Sequence, residues 1–253
     1  MPLLIGTSGW QYPWWRGVLY PDDVPKRRWL ETYAEAFATV EINNAFYRLP
    51  PYETFAGWRD RTPQDFIVGV KASRFLTHVK RLKEPEEPVH RLTAAASGLG
   101  ERLGPVLVQL PPNMAFAPER LAACLDAFPY GVKVAVEPRH ASWWKDETRA
   151  VLACRDAPLC WSDRLGRPQS PLWRTASWGY VRLHEGAARE RPRYGERALR
   201  SWVRRIGDAW PAETQVYVYF NNDSGGAAIR DAARFARIAR AAGHAVSRVP
   251  QSL

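Results

Sequence analysis

Five residues of this chain have side chains suited to acid–base work: Glu41, Glu137, His140, Asp163 and His184. Each stands at or just past the end of a short apolar run. Glu41 lies within TVEI, Glu137 ends VKVAV and opens EPRHASWW, Asp163 follows LCWS, and His184 follows YVRL. Carboxylates and imidazoles exchange protons with substrates as general acids or bases. The same groups could hold one divalent ion through nitrogen and oxygen, with Glu137, His140, Asp163 and His184 as the candidate ligands. Neither HExxH nor HxH occurs, and the five histidines are too few for a histidine-rich zinc cluster. A carboxylate inside an apolar strand must find a partner, because an unpaired buried charge is costly. Arg48, Arg139 or Arg182 could partner Glu41, so a structural bridge stands beside a catalytic role for it.

A second set of residues could bind substrate. Arg139 and Arg182 suit an anion clamp. Lys71 and the stretch Thr77, His78, Lys80, Arg81 add positive charge beside the third run, either for a phosphate or as a solvated face. Ser8, Asn43, Tyr47, Gln109, Asn221 and Asn222 are polar groups at the ends of other runs, with Asp223 beside them. Trp10, Tyr12, Trp14 and Trp15 crowd the segment after the first run, and Trp143 follows the fifth. They could plug the mouth of the fold or give flat faces on which rings stack.

The elements that would position these groups are legible as periodicity. Eight runs (LLIG, TVEI, FIVGV, PVLV, VKVAV, LCW, YVRL, VYVYF) are apolar on both faces, the pattern of buried parallel strands. Between them, residues 26–37, 52–61, 89–103, 118–128, 144–154, 196–210 and 224–242 repeat apolar residues at helical spacing. Strand–helix alternation predicts an α/β fold with a parallel sheet. Eight units in 253 residues predict one closed (β/α)8 TIM-type barrel over residues 1–253, with its site at the C-terminal ends of the strands. The sixth unit is irregular, since 164–178 reads as a loop. A doubly wound open sheet is the competitor, but no GxGxxG or GxxxxGK[ST] turn is present.

Lys and Arg number 36 against 26 Asp and Glu, a net charge of +10. The excess sits in 151–253, with 17 basic and 9 acidic side chains, against 19 and 17 in 1–150. A basic half invites a polyanionic partner such as DNA or RNA, although 30 of the 36 cations are Arg, a bias that a GC-rich genome also produces. No stretch has the ~18 uninterrupted apolar residues of a membrane span, so no membrane partner is expected. Three cysteines without a CxxC, and no signal-peptide pattern, predict a cytoplasmic protein with reduced thiols.

Six segments in order, GTSGWQYPWWRGVLYP, VEINNAFYRLP, THVKRLK, LGPVLVQLPP, EPRHASWW and YVYFNNDSGGAA, resemble the motifs of the YecE-like family, a domain of unknown function. The resemblance spans Gly6 to about Ala228 and implies a TIM-type barrel. Through the likeness of that barrel to endonuclease IV-type enzymes, it implies phosphoester or nucleic-acid work. The family's signature positions fall on Ser8, Gly9, Trp10, Glu41, Asn43, Tyr47, Thr77, His78, Gln109, Glu137, Arg139, His140, Trp143, Asp163, Arg182, His184, Asn221 and Asn222. Two departures stand out: Glu185 separates His184 from Gly186, and Asp231 stands where the family often has Asn. The expectation is a hydrolase of phosphoesters, nucleic acid included, with one divalent ion as a possible aid and an anionic ligand. A sugar-directed hydrolase or isomerase and a non-catalytic polyanion binder are the alternatives.

Overall fold

All eight apolar runs form strands in the computed structural model, which describes residues 3–190 and 192–251. They are β1 (Leu3–Ser8), β2 (Thr39–Ile42), β3 (Ile67–Lys71), β4 (Leu103–Gln109), β5 (Val134–Glu137), β6 (Trp161–Arg164), β8 (Gly179–Leu183) and β9 (Val216–Phe220). A ninth, β7 (Arg167–Pro168), has two residues. The sheet order is β5-β4-β3-β2-β1-β9-β8-β6-β7. Every pairing is parallel except β6 with β7.

The expected closed barrel of eight parallel strands is therefore corrected to an open, curled, mixed sheet of nine strands. Among the described residues the two flanks pair only at an isolated bridge between Val136 and Leu159, where Val136 N donates to Pro158 O (3.0 Å) and Cys160 N to Val136 O (2.7 Å). The chain entering β6 cannot continue as a ladder. Pro158 has no amide hydrogen to give toward β5, and neither has Pro138 just past the end of β5; the Leu159 amide, on the other edge of the chain, donates to Thr175 Oγ1 (2.8 Å). Pairing with β8 starts only at Trp161.

The antiparallel pair was hidden for a related reason. Leu165 and Gly166 join β6 to β7 with φ of 53° and 74°. Two left-handed residues in a two-residue loop give the twist a hairpin needs, but Leu is an unusual occupant, so Leu-Gly carries no turn signature. The irregular sixth unit is this hairpin and the loop after it, with no helix.

The helices are α1 (Trp29–Ala36), α2 (Asn44–Tyr47), α3 (Tyr52–Asp60), α4 (Glu86–Ala96), α5 (Pro118–Asp126), α6 (Asp146–Ala153), α7 (Glu196–Ala209) and α8 (Ala227–Ala241). The helix expected over 89–103 ends early and continues as a 3-10 segment, Ser97–Arg102, in which Gly100 has φ 55°. A π-helix, Phe75–Val79, follows β3. α8 ends as expected, with Gly243 left-handed at φ 87°. Among the described residues no helix is long and apolar enough to cross a membrane.

Side chains alternate between two cores. The larger lies between sheet and helices and takes Ile5, Val40, Val68, Val108, Val136 and Val218. The smaller fills the inside of the curl with Leu4, Leu107, Ala135, Cys160, Trp178, Tyr180, Tyr217 and Tyr219. Tyr219 reaches Thr39 Oγ1 (2.8 Å) across the interior, over Gly69, where a Cβ would lie 3.0 Å from its hydroxyl.

Candidate functional site

At the C-terminal ends of β2, β4, β5 and β8, the interior turns from aromatic to ionic. Arg182, 1% exposed, donates from Nη1 to Glu137 Oε2 and from Nη2 to Glu41 Oε1, both at 2.8 Å. Strand alternation, not sequence proximity, brings them together. Glu41 and Arg182 point inward because Val40 and Val181 point to the helices. Of the three arginines that could partner Glu41, Arg182 does so.

Glu41 is held by three donors. Ser8 Oγ (2.7 Å) and Arg182 bond Oε1, and the Tyr180 hydroxyl (2.6 Å) bonds Oε2. Burial pushes its pKa up, but the charge of Arg182 and these bonds outweigh burial and hold it below the usual carboxylate range. At 0% exposure it cannot meet a substrate. The sugar-directed reading needs two carboxyl groups flanking a bond, and Glu41 fails that role.

Glu137 is the hub. Oε2 takes Arg182 and Gln109 Nε2 (2.8 Å), while Oε1 takes Arg139 Nη2 (3.1 Å), Arg139 Nε (3.2 Å) and His184 Nε2 (3.2 Å). Burial raises its pKa, and Arg182, His184 and Arg139 more than reverse this, leaving the carboxylate firmly ionised. With Asn221 Nδ2 donating to His184 Nδ1 (3.0 Å), the ring proton lies on Nε2, facing Glu137. Burial also lowers the His184 pKa, against the raising effect of the Glu137 hydrogen bond, which favours the neutral imidazole.

Outside this network lies a cavity of about 560 Å³. Glu137, Arg139, Asp163, His184 and Asn221 line it, with Arg164 and Trp144 among its walls. Arg139 is 41% exposed there, and among the described residues its Nη1 has no protein partner. Asp163 is 2% exposed and receives the Tyr194 hydroxyl on both oxygens (2.7 and 2.6 Å) and the His184 amide on Oδ1 (2.6 Å). Burial exceeds the lowering effect of these bonds, and its pKa is pushed up to about 7. Two carboxyl groups of one cavity thus differ in ionisation at neutral pH, the arrangement that separates an acid from a base.

Several expected site residues lie elsewhere. His140 caps the 3-10 turn Ala141–Trp143: its Nδ1 accepts from Ser142 N (3.2 Å) and meets Ser142 Oγ (2.8 Å), and it does not line the cavity. Trp10 (3% exposed, edge-on to Trp58 at 5.3 Å) and Trp143 (0%, its Nε1 donating to Met114 O) are core residues, not stacking surfaces. The first aromatic cluster is mainly a plug, with Trp15 fully buried; Trp14 and Trp15 both donate to Asp223 (2.6 and 2.8 Å). Asn222 touches the cavity wall, but its amide is spent on Pro192 O (3.1 Å) and Asp231 Oδ2 (2.9 Å). Asn43, Tyr47 and His78 do not line the cavity, and His78 lies close enough to Lys71 to feel its charge. Burial lowers the Lys71 pKa to about 8, with Arg182 adding to the effect, and its Nζ sits 4.1 Å over the Phe46 ring.

The divalent-ion expectation does not fit these residues. Among the described residues no three His, Cys, Asp or Glu groups converge as ligands. Of the four candidates, His140 faces Ser142, Asp163 has its pKa pushed up to about 7 and is only partly ionised at neutral pH, and Glu137 is enclosed by two guanidinium groups. That enclosure repels a cation and favours an anion.

Sequence reasoning missed Tyr180, Tyr194, Trp144 and Arg164. Tyr180 was concealed in a run read as apolar, though a tyrosine pointing inward needs a partner for its hydroxyl. Tyr194 sits in loop 184–195, which carries no periodic signal. That loop is tied down by Asp231, which accepts from Tyr194 N (2.9 Å) and Arg193 Nε (3.1 Å). The inserted Glu185 accepts from Gly166 N (2.8 Å) through its carbonyl, joining the loop to the β6–β7 hairpin.

A family profile described as "Protein of unknown function DUF72" matches residues 4–252. The UPF0759 protein YecE of Escherichia coli is 30% identical over 145 residues, covering 56% of this chain and 50% of that protein. The match therefore spans about half of YecE's length. The UPF0759 protein YunF of Bacillus subtilis is 24% identical over 257 residues, 88% of this chain and 90% of that protein. A crystal structure of a DUF72 family protein from Thermotoga maritima superposes with a TM-score of 0.81 at 28% identity, covering 94% of this chain and 99% of that one.

Proposed function

The chain belongs to the DUF72 family, and we propose that its cavity is a catalytic site for a phosphate-bearing ester, nucleic acid included. The observation that carries this reading is the split between Glu137, held ionised among arginines, and Asp163, poised near 7, in one cavity with a half-exposed arginine. Arg139 offers its free Nη1 edge to a phosphate oxygen, the planar donor geometry that suits phosphate. Glu137 is a positioning residue: it fixes the Arg139 fork through Oε1 and orients the His184 ring. Asp163 is the proton donor. Water attacks phosphorus, the ester P–O bond breaks, the proton of Asp163 passes to the leaving oxygen, and the proton released by the attacking water returns to the Asp163 carboxylate, restoring the acid. The net charge of +10 favours a polyanionic source for such an ester.

The test is hydrolysis of bis(p-nitrophenyl) phosphate, p-nitrophenyl phosphate and single-stranded DNA and RNA, by the wild type and Asp163→Asn. Activity should fall as pH rises through about 7, where Asp163 loses its proton. Asp163→Asn should lose on the order of 10²–10⁴-fold in kcat. No cleavage of any ester by the wild type would sink the catalytic reading.

A further inference from the structure

Beside the cavity, on the same side of the sheet, the residues after β2 and β3 build a surface that the proposed chemistry does not use. Ala45–Tyr47, Phe75, Val79 and the start of α4 enclose an apolar groove of about 280 Å³, edged by Arg74 and Arg91. Two of its aromatic residues are open, Tyr47 at 81% exposed and Phe75 at 42%, as is Val79 at 60%, while Phe46 is buried. A second hollow of about 280 Å³ shares Val79 and is walled by Lys80, Arg81, Lys83, Glu84 and Arg120. Glu84 neutralises Lys80 at 2.5 Å, whereas Arg81, Lys83 and Arg120 have no ion pair among the described residues. At its other end the groove meets the ionic network. The face of Phe46 lies under Lys71 Nζ (4.1 Å) and against the edge of His78 (5.0 Å), and Lys71 feels the charges of Arg182 and Glu137.

The backbone holds this surface in place by unusual means. Phe75–Val79 is a π-helix, a form that recurs at functional sites. Its wide turn buries Leu76 and Thr77 and leaves Phe75 and Val79 outside. The next residues, Arg81 and Leu82, are left-handed at φ 50° and 61°, although neither is glycine. Leu82 is pinned in the core (1% exposed, its amide donating to Leu76 O at 3.1 Å), which turns Arg81 and Lys83 outward.

We infer that this track binds a single-stranded nucleic acid, with unpaired bases stacked on Tyr47 and Phe75, one phosphate among Arg81, Lys83 and Arg120, and the strand continuing past Lys71 into the cavity. The inference rests on the phosphate reading of the cavity and adds its substrate class. Flat exposed rings in one hollow beside unpaired cations in the next suit a strand that carries both bases and phosphates, and stacking requires bases that are not paired. A lone anion would not explain the rings, and a purely apolar partner would not explain the arginines.

The test is fluorescence anisotropy with an oligothymidylate of roughly twelve nucleotides, within the span that single-strand binding sites cover. Tyr47→Ala and Phe75→Ala should each weaken binding by about five-fold or more. Arg81→Ala with Lys83→Ala should flatten the dependence of log K on log salt by about 0.7 for each phosphate that the protein no longer neutralises. Duplex DNA of equal length and polyglutamate should bind much more weakly. Equal affinity for duplex or polyglutamate, or full affinity in both aromatic variants, overturns the inference. The cavity reading is judged separately by small-ester hydrolysis in the wild type, so either can fail while the other stands.

Discussion

Replacing Arg182 with Met removes the one cation that joins two fully buried carboxylates. Both pairs are 2.8 Å long, and no partner in them is more than 1% exposed. Breaking a buried pair by deleting one partner costs about 3–5 kcal/mol, because the remaining charge stays out of water. Here Glu41 loses its only cation among the described residues while Glu137 keeps Arg139, so the whole of that range applies. At about 2–4 °C per kcal/mol for a chain of this size, Tm should fall by roughly 6–20 °C. The pH dependence should also change sign. In the wild type, burial raises both glutamate pKa values but Arg182 lowers them further, so the pairs stabilise the fold above the unfolded carboxylate pKa of 4.5 and lose that effect as acid titrates the folded state. Without Arg182, only the hydrogen bonds of Ser8 and Tyr180 oppose burial at Glu41, and its folded pKa should move above 4.5, so stability should fall as pH rises beyond it. Urea unfolding between about pH 4 and 8 reads both effects. Adding Glu41→Gln and Glu137→Gln removes the buried charge and should recover most of the loss. A loss below about 1 kcal/mol in Arg182→Met, the level of an exposed pair, would refute the reasoning.

Other outcomes follow from the same geometry. Asp163 has a folded pKa of about 7 against an ordinary 3.8, so the native state holds its proton more tightly and stability should decline as pH rises between those values. Asp163→Asn should abolish that component in a wild-type-minus-variant comparison of urea midpoints. Tyr194→Phe removes the hydroxyl that serves both Asp163 oxygens and should cost about 1–3 kcal/mol by the same measurement. Gly186→Ala should disturb loop 184–195, since a Cβ there would lie 2.0 Å from Arg193 O. Overpacking of this kind costs about 1–3 kcal/mol, and faster proteolysis within the loop should report it.

Much of the positioning frame was legible because buried strands are written in runs of apolar residues. Each of the eight runs became a strand, and Glu41, Glu137, Asp163 and His184 stand at strand ends on one side of the sheet. What periodicity could not show was closure. Whether β5 and β6 form a ladder depends on two prolines, Pro158 and Pro138, neither of which has an amide hydrogen to give across the gap. Sequence also could not divide catalytic from structural polar residues. His140 and His184 read alike, yet one caps a turn and the other faces Glu137. That division is set by which residue fills the neighbouring space, a property of the folded chain. The buried triad shows the opposite case: a glutamate inside an apolar strand demands a cation, and Arg182, the cation inside another such strand, answers it.

The central claim is that Glu137 and its arginines make the cavity an anion site. Calorimetric titration with inorganic phosphate tests it most directly. The wild type should bind, and Arg139→Ala should bind at least about ten-fold more weakly, the effect of losing a hydrogen bond to a charged group. No detectable binding by the wild type, or the same affinity in Arg139→Ala, would contradict it.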